Sequence, residues 1–281
     1  MEIKAYAKIN LTLDISGKRA DGYHNIESVM QSISLADTLE IRENNLGKIY
    51  LSSNVASLPT DESNTAFKAA KLFYEYTEIK NRYVDIRLDK QIPDKAGMGG
   101  GSSDAAAVLW AMNEIYKTNL TMPELFRLGA KIGADVPFCL AGGTCHCRGI
   151  GEKIARVDPM PACFLLICKP PAGVSTPRAY AMVDKLLFSA PTGTPKMITA
   201  LKGGNLQHVS AALSNRFDEV LFLPQVQNIK KVMRTGGALN AMMTGSGSAV
   251  YGIFEDLEHA RSCAQDLHGY GDLFLAKPIN V

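Results

Sequence analysis

Apolar and polar positions alternate from the start of the chain. Ile3, Ala5, Ala7, Ile9, Leu11, Leu13 and Ile15 hold the odd positions, and Lys4, Tyr6, Lys8, Asn10, Thr12 and Asp14 hold the even ones. A period of two predicts a strand with one face on a core. Lys8 and Asn10 then lie one pleat apart on the other face, which the pattern alone gives to solvent. Further strands are predicted over 26–35, 37–42 and 83–92. The continuous apolar run from Cys163 to Cys168 predicts a buried strand. Two more follow near the end, over 249–254 and 272–276. Helical spacing begins at 64–76, with Asn64 near the N-cap. Val108, Leu109, Met112, Ile115 and Tyr116 then share one helical face. Thr121-Met122-Pro123-Glu124 reads as a capping box opening a helix that buries Leu125, Leu128 and Ile132. Gly133 ends that helix, and 134–137 reads as its exit. Helices near 205–213, 216–222 and 225–234, and one burying Ala260, Cys263, Ala264 and Leu267, complete the pattern. The chain is α+β, two sheets each with helices on it. Pro159-Met160-Pro161 marks the boundary, giving domains 1–158 and 159–281.

Composition narrows the classes. The 281 residues carry 30 Lys and Arg against 28 Asp and Glu, a net charge of +2, which argues against a general nucleic-acid binder. A chain 46% apolar and 21% charged is globular rather than disordered. No run approaches the ~18 apolar residues of a membrane span. The start, Met1-Glu2-Ile3-Lys4, shows no signal or transit pattern, so a cytoplasmic location is expected. The six cysteines form no CxxC pair. Cys145-His146-Cys147 lacks a second ligand pair at a usual spacing, so buried reduced thiols are expected there rather than a metal.

The stretch with most chemistry is Gly97-Met98-Gly99-Gly100-Gly101-Ser102-Ser103-Asp104, between a strand and a helix. Glycine loses the most entropy on folding, so such a run points to close backbone approach or unusual dihedrals. Backbone N–H groups at a glycine-rich helix start make an anion site, with phosphate the natural ligand. The P-loop spacing is absent. A dinucleotide fingerprint fails at its closing position, Ser102, which argues against a hydride-transfer enzyme. Gly245-Ser246-Gly247-Ser248 alone reads as a turn. Together the two clusters suit a nucleoside triphosphate held from two sides.

At this point a resemblance covers the chain. Pro93 to Ala107 resembles the central motif of the GHMP kinases, a family named for its galacto-, homoserine, mevalonate and phosphomevalonate kinases. Ala7-Lys8-Ile9-Asn10-Leu11 is similar to the family's first motif, and Met243-Thr244-Gly245-Ser246-Gly247 to its third. The segments 18–24, 133–138 and 169–176 are similar to signatures of members that act on a cytidine diphosphate-linked methylerythritol. The resemblance implies the two-domain GHMP kinase fold. Its N-terminal domain is like ribosomal protein S5 domain 2, its C-terminal domain is ferredoxin-like, and the active site lies in the cleft between them. The implied reaction moves the γ-phosphoryl of ATP to the 2-hydroxyl of the methylerythritol, in non-mevalonate isoprenoid precursor synthesis.

The same resemblance implies roles. Asp135 is the base that takes the hydroxyl proton, and Lys8 beside it steadies charge on the phosphoryl oxygens. Asn10 hydrogen-bonds substrate or Asp135. Tyr23 and Tyr180 flank the cytosine, His24 reads its edge, and Thr176 lies in the same substrate site. Gly97, Gly99, Gly100, Gly101, Ser102 and Ser103 cradle the ATP phosphates, with Gly245, Ser246 and Gly247 as a second loop and Asn64 at the adenine. Mg²⁺ is expected with the nucleotide, held by Ser103 or water. A monomer or weak homodimer is expected. Two other readings stay open: a GHMP kinase for another small alcohol, and a silent nucleotide-binding regulator. Tyr23, His24 and Tyr180 argue against the first, and intact Lys8 and Asp135 against the second.

Overall fold

The computed structural model describes residues 1–80, 82–171, 173, 175–185 and 192–280. Within the segment 169–176, Ala172 and Val174 lie outside the described residues. The chain forms two compact units that interleave in sequence. The first takes residues 1–7, 36–92 and 99–141, and the second takes 8–35, 93–98 and 142–281.

In the first unit, alternating apolar residues build one face of a sheet. The end of the strand His24–Asn44 runs antiparallel to Tyr83–Asp89, with Leu39 opposite Leu88 and Ile41 opposite Ile86. Tyr50–Ser53 adds a parallel edge, with Leu51 opposite Ile86. These side chains are buried with those of the helices Thr65–Thr77, Gly100–Tyr116 and Met122–Ile132. Ala66, Ala69 and Ala70 on one helix and Ala105, Ala106 and Ala111 on the next carry little bulk, so Phe73 and Met112 fill the core without overpacking it. The caps are as expected. Asn64 accepts from the Ala66 N–H at 2.8 Å, and Thr121 with Glu124 forms the capping box.

In the second unit, a four-stranded antiparallel sheet has the order Asn240–Met243, Val250–Phe254, Phe164–Lys169, Asp272–Ala276. The first of these strands in sequence, Phe164–Lys169, lies between the third and the last. With the helices Pro224–Thr235 and Leu257–Asp266 between strands, this is the ferredoxin-like order. The 163–168 run is buried as its composition predicts, and Tyr251 opposite Ile167 is fully buried. The start of His24–Asn44 pairs here with Thr12–Lys18 and with Thr144–Gly149. Cys145 and Cys147 on the latter are buried. His146, between them, meets Glu27 at 2.8 Å.

Four readings need correction. The alternation over 3–15 makes two strands, Glu2–Asn10 and Thr12–Lys18, bent at Leu11, whose N–H donates to Val29 O at 2.8 Å. Its polar face is covered at Lys8, Asn10 and Thr12, which are 3%, 0% and 0% exposed. The strands 26–35 and 37–42 are one continuous strand, because Asp37 is held inside rather than turning the chain. Residues after Asp135 start a new short helix, Val136–Ala141, since proline is tolerated in a first helical turn. The helices Thr176–Val183 and Gly193–Lys202 and the strand Asn240–Met243 carry too few periodic positions to be read from the pattern.

The first unit also buries three charges. The Lys90 ammonium pairs with Asp37 and, at 2.7 Å, with Asp104. Burial pushes the Asp104 carboxyl up to about 7, with nearby Asp37 adding to the effect and Lys90 opposing it. An unfolded Asp titrates near ~4. The folded chain therefore binds the extra proton across the window from about 4 to about 7. Stability from this group falls as pH rises through that window, by at most ~1.4 kcal/mol per pH unit. Asp104→Asn removes the slope. Its melting temperature relative to the unaltered chain is expected to rise steadily between pH 5 and pH 7.5. A constant difference would contradict the assignment.

Candidate active site

The second unit gathers most of the sequence-predicted residues. Lys8 and Asn10 end the first strand, and the Lys8 Nζ donates to Asn10 Oδ1 at 2.6 Å. Asn10 Oδ1 also accepts from Gly245 N at 3.0 Å, and its Nδ2 donates to Ser28 Oγ at 2.9 Å. Its backbone N–H donates to Thr244 Oγ1 at 3.0 Å, and its carbonyl accepts from the buried Tyr251 hydroxyl at 2.8 Å. A buried amide must satisfy both ends of its side chain. Here that requirement joins the first motif to the third.

The two glycine clusters meet as backbone. Gly97 has φ +75°, and a Cβ on it would lie 2.3 Å from Thr244 O. Gly245 has φ +56°, and its Cβ would lie 2.9 Å from Gly97 O. The Ala249 N–H donates to Ala96 O at 3.3 Å, and the Lys8 N–H to Met98 O at 3.0 Å. Only glycine fits either crossing point. Ser246 Oγ lies 3.0 Å from Thr176 Oγ1, which brings the third motif to the start of the helix Thr176–Val183.

His24 and Tyr180 also come together. Their rings stack at 4.4 Å and 15°, and Phe217 meets Tyr180 edge-on at 5.0 Å. His24 Nε2 lies 2.6 Å from Asp184 Oδ1, and Lys18 Nζ donates to Asp184 Oδ2 at 2.6 Å. Hydrogen bonds from Lys18 and His24 hold the Asp184 carboxyl below its ordinary value. Tyr23, in the preceding turn, is 59% exposed. Asp184 carries no motif signal and is the partner that sequence reasoning missed.

The remaining residues belong to the first unit. Gly99, with φ +73°, caps the helix Gly100–Tyr116. A helix start leaves the first N–H groups without helical partners, here those of Gly100, Gly101 and Ser102. Ser103 differs. Its N–H donates to Gly99 O at 2.8 Å, and its buried hydroxyl donates to Tyr6 O at 2.6 Å. Both Ser103 groups are therefore engaged with the chain. Asn64 is used at both ends of its amide, by Ala66 N and by Pro59 O. Asp135 is half-buried just before Val136–Ala141, and its carbonyl accepts the Cys139 N–H at 3.0 Å.

With this geometry in hand, comparison with known proteins decides the family. The model of the GHMP kinases N terminal domain matches residues 64–143, and that of the GHMP kinases C terminal matches 197–272. A 4-diphosphocytidyl-2-C-methyl-D-erythritol kinase of Clostridium botulinum (strain Alaska E43 / Type E3) is 42% identical, over 99% of this chain and 100% of the relative. One of Caldicellulosiruptor bescii is 42% identical, over 95% and 94%. The chain belongs to the 4-diphosphocytidyl-2-C-methyl-D-erythritol kinases, within the GHMP kinases.

A crystal structure of a kinase of that name superposes with a TM-score of 0.86 at 32% identity, covering 100% of both chains. The crystal structure of L. major mevalonate kinase, at 18% identity and TM-score 0.78 over 100% of this chain and 97% of that one, shares the fold. In this GHMP kinase the glycines of the central and third motifs are needed first by each other. Gly97→Ala is expected to lower stability by more than ~1 kcal/mol, because it demands a positive φ and meets a carbonyl. Gly17→Ala, with nothing within 4 Å of the new carbon, serves as the control. Denaturant melts of the two variants check this, and equal stabilities would refute it.

Proposed function

We propose that this GHMP kinase transfers the γ-phosphoryl of ATP to the 2-hydroxyl of 4-diphosphocytidyl-2-C-methyl-D-erythritol, giving ADP and the 2-phosphate. The observation that carries this reading is the 42% identity, end to end, to relatives bearing that enzyme's name. The family's two domains are assigned to 1–158 and 159–281. The matched spans, 64–143 and 197–272, fall on either side of that division. Among the described residues no helix is long and apolar enough to cross a membrane. A bacterial cytoplasm is the proposed location.

In the reaction the 2-hydroxyl oxygen attacks the γ-phosphorus and its proton passes to the Asp135 carboxylate. The bond to the bridging β,γ-oxygen breaks and ADP leaves. Such a transfer needs alignment and charge stabilisation more than covalent help. Lys8 supplies the charge that steadies the phosphoryl oxygens, with Asn10 fixing its ammonium at 2.6 Å. The phosphates are assigned to the N–H groups of Gly100, Gly101 and Ser102, the start of a helix, where backbone dipoles favour anions. Mg²⁺ accompanies ATP in phosphoryl transfer. Ser103 or water is assigned as its ligand; the Ser103 hydroxyl gives its proton to Tyr6 O at 2.6 Å, which leaves the oxygen lone pairs for a cation.

Tyr23, His24 and Tyr180 are assigned to the cytosine. Every base offers a face for stacking, so the exposed Tyr23 ring gives affinity rather than choice. Choice requires hydrogen bonds, and His24 is oriented for them by Asp184. Thr176 and Ser246, joined at 3.0 Å, are assigned to the same substrate.

Two measurements test these assignments. Asp135→Asn is expected to lower kcat by about a hundredfold or more, with the affinity for the cytidylyl substrate within about tenfold of the unaltered chain. A near-normal kcat would remove Asp135 as the base. His24→Ala is expected to raise KM for the cytidylyl substrate at least tenfold with KM for ATP unchanged. Equal changes in both would remove His24 from base reading.

A further inference from the structure

We propose that Lys90 is a positioning residue for the phosphate-binding glycine loop: its ammonium, shared by Asp37 and Asp104, ties together the two chain segments between which that loop is strung. The proposal rests on the reading that the loop binds nucleotide phosphates.

The loop leaves one chain segment at Ile92 and returns to another at Gly99. On the leaving side, Asp37 Oδ1 accepts the N–H groups of Gln91, at 2.6 Å, and Ile92, at 2.8 Å. The other Asp37 oxygen takes the Lys90 ammonium. On the returning side, the same ammonium donates to Asp104 Oδ2 at 2.7 Å, early in the helix Gly100–Tyr116. A Cβ on Gly100 would lie 3.2 Å from the Ile92 side chain and 3.4 Å from Lys90 Nζ, so the helix start packs directly on both. One cation therefore fixes where the chain departs and where the phosphate-facing N–H groups of Gly100, Gly101 and Ser102 begin.

The composition of the cluster points beyond packing. Two carboxylates share one ammonium, with Asp37 0% and Asp104 4% exposed at the side chain. Asp104 Oδ1 is buried and has no hydrogen-bond partner among the described residues. Burying a second carboxylate and leaving one of its oxygens unpaired costs stability. A core that needed only filling would take an apolar residue here, as its neighbours Ala105, Ala106 and Ala107 do. Retaining the acid secures the Lys90 contact at the helix start, where a small displacement moves every phosphate donor together.

Asp104→Asn and Asp104→Leu separate this role from general stability. Both remove the same charge and leave Lys90 with Asp37 as a neutral pair. Only Asn keeps an oxygen that can accept from Lys90. The full-length chain and both variants are titrated with ADP by calorimetry and melted thermally. Asp104→Asn is expected to bind ADP within threefold of the unaltered chain. Asp104→Leu is expected to melt cooperatively yet bind ADP at least tenfold more weakly, with KM for the cytidylyl substrate unchanged. Lys90→Met is the second variant, with the same expectation as Asp104→Leu. Folded Asp104→Leu or Lys90→Met protein with ADP affinity within twofold of the unaltered chain overturns the proposal. An unaltered chain that binds no ADP overturns the reading of the loop itself, and the proposal with it.

Discussion

The second unit depends on one buried amide. Asn10 uses its carbonyl oxygen for Lys8 and Gly245, its amino group for Ser28, and its backbone for Thr244 and Tyr251. An unpaired polar group in such a place costs about 1–3 kcal/mol, so each partner is constrained by the others. The constraint brings the third motif to the first, and the carbonyl crossing of Gly97 with Thr244 then sets the central motif beside the third. Residues more than two hundred positions apart become one structure because a single side chain needs all of them.

The charged groups follow the same logic at different depths. Lys8 is buried, and its ammonium donates to the Asn10 amide oxygen. Asp184 sits nearer solvent, where two cationic or ring donors favour its ionised form and fix the His24 ring. Lys90 is held between two carboxylates, and their attraction outweighs the burial that would lower its own affinity for a proton.

Much of the architecture was legible in the sequence because burial follows period. The strands at 83–89 and 272–276, the capping box at Thr121 and the N-cap at Asn64 rest on local signals that the structure keeps. What could not be read was set by distant contacts. Lys8 and Asn10 occupy polar positions of an alternating strand, yet their face is covered, and no local feature marks that. Asp184 and Lys90 lack any motif. They matter only through what the fold places beside them. Ser103 shows the converse. Its place in the glycine motif suggested a ligand contact, and its two donors, the N–H and the O–H, are taken by Gly99 and Tyr6, a use that no motif announces.

The central claim is that this GHMP kinase acts on a cytidylyl alcohol through ATP. It is tested most directly by comparing kcat/KM for 4-diphosphocytidyl-2-C-methyl-D-erythritol with those for mevalonate, homoserine and galactose, following ADP and identifying the product by ³¹P resonance. The account requires turnover with the cytidylyl substrate alone and a new phosphomonoester at its 2-position. Turnover that favours one of the other alcohols would contradict it.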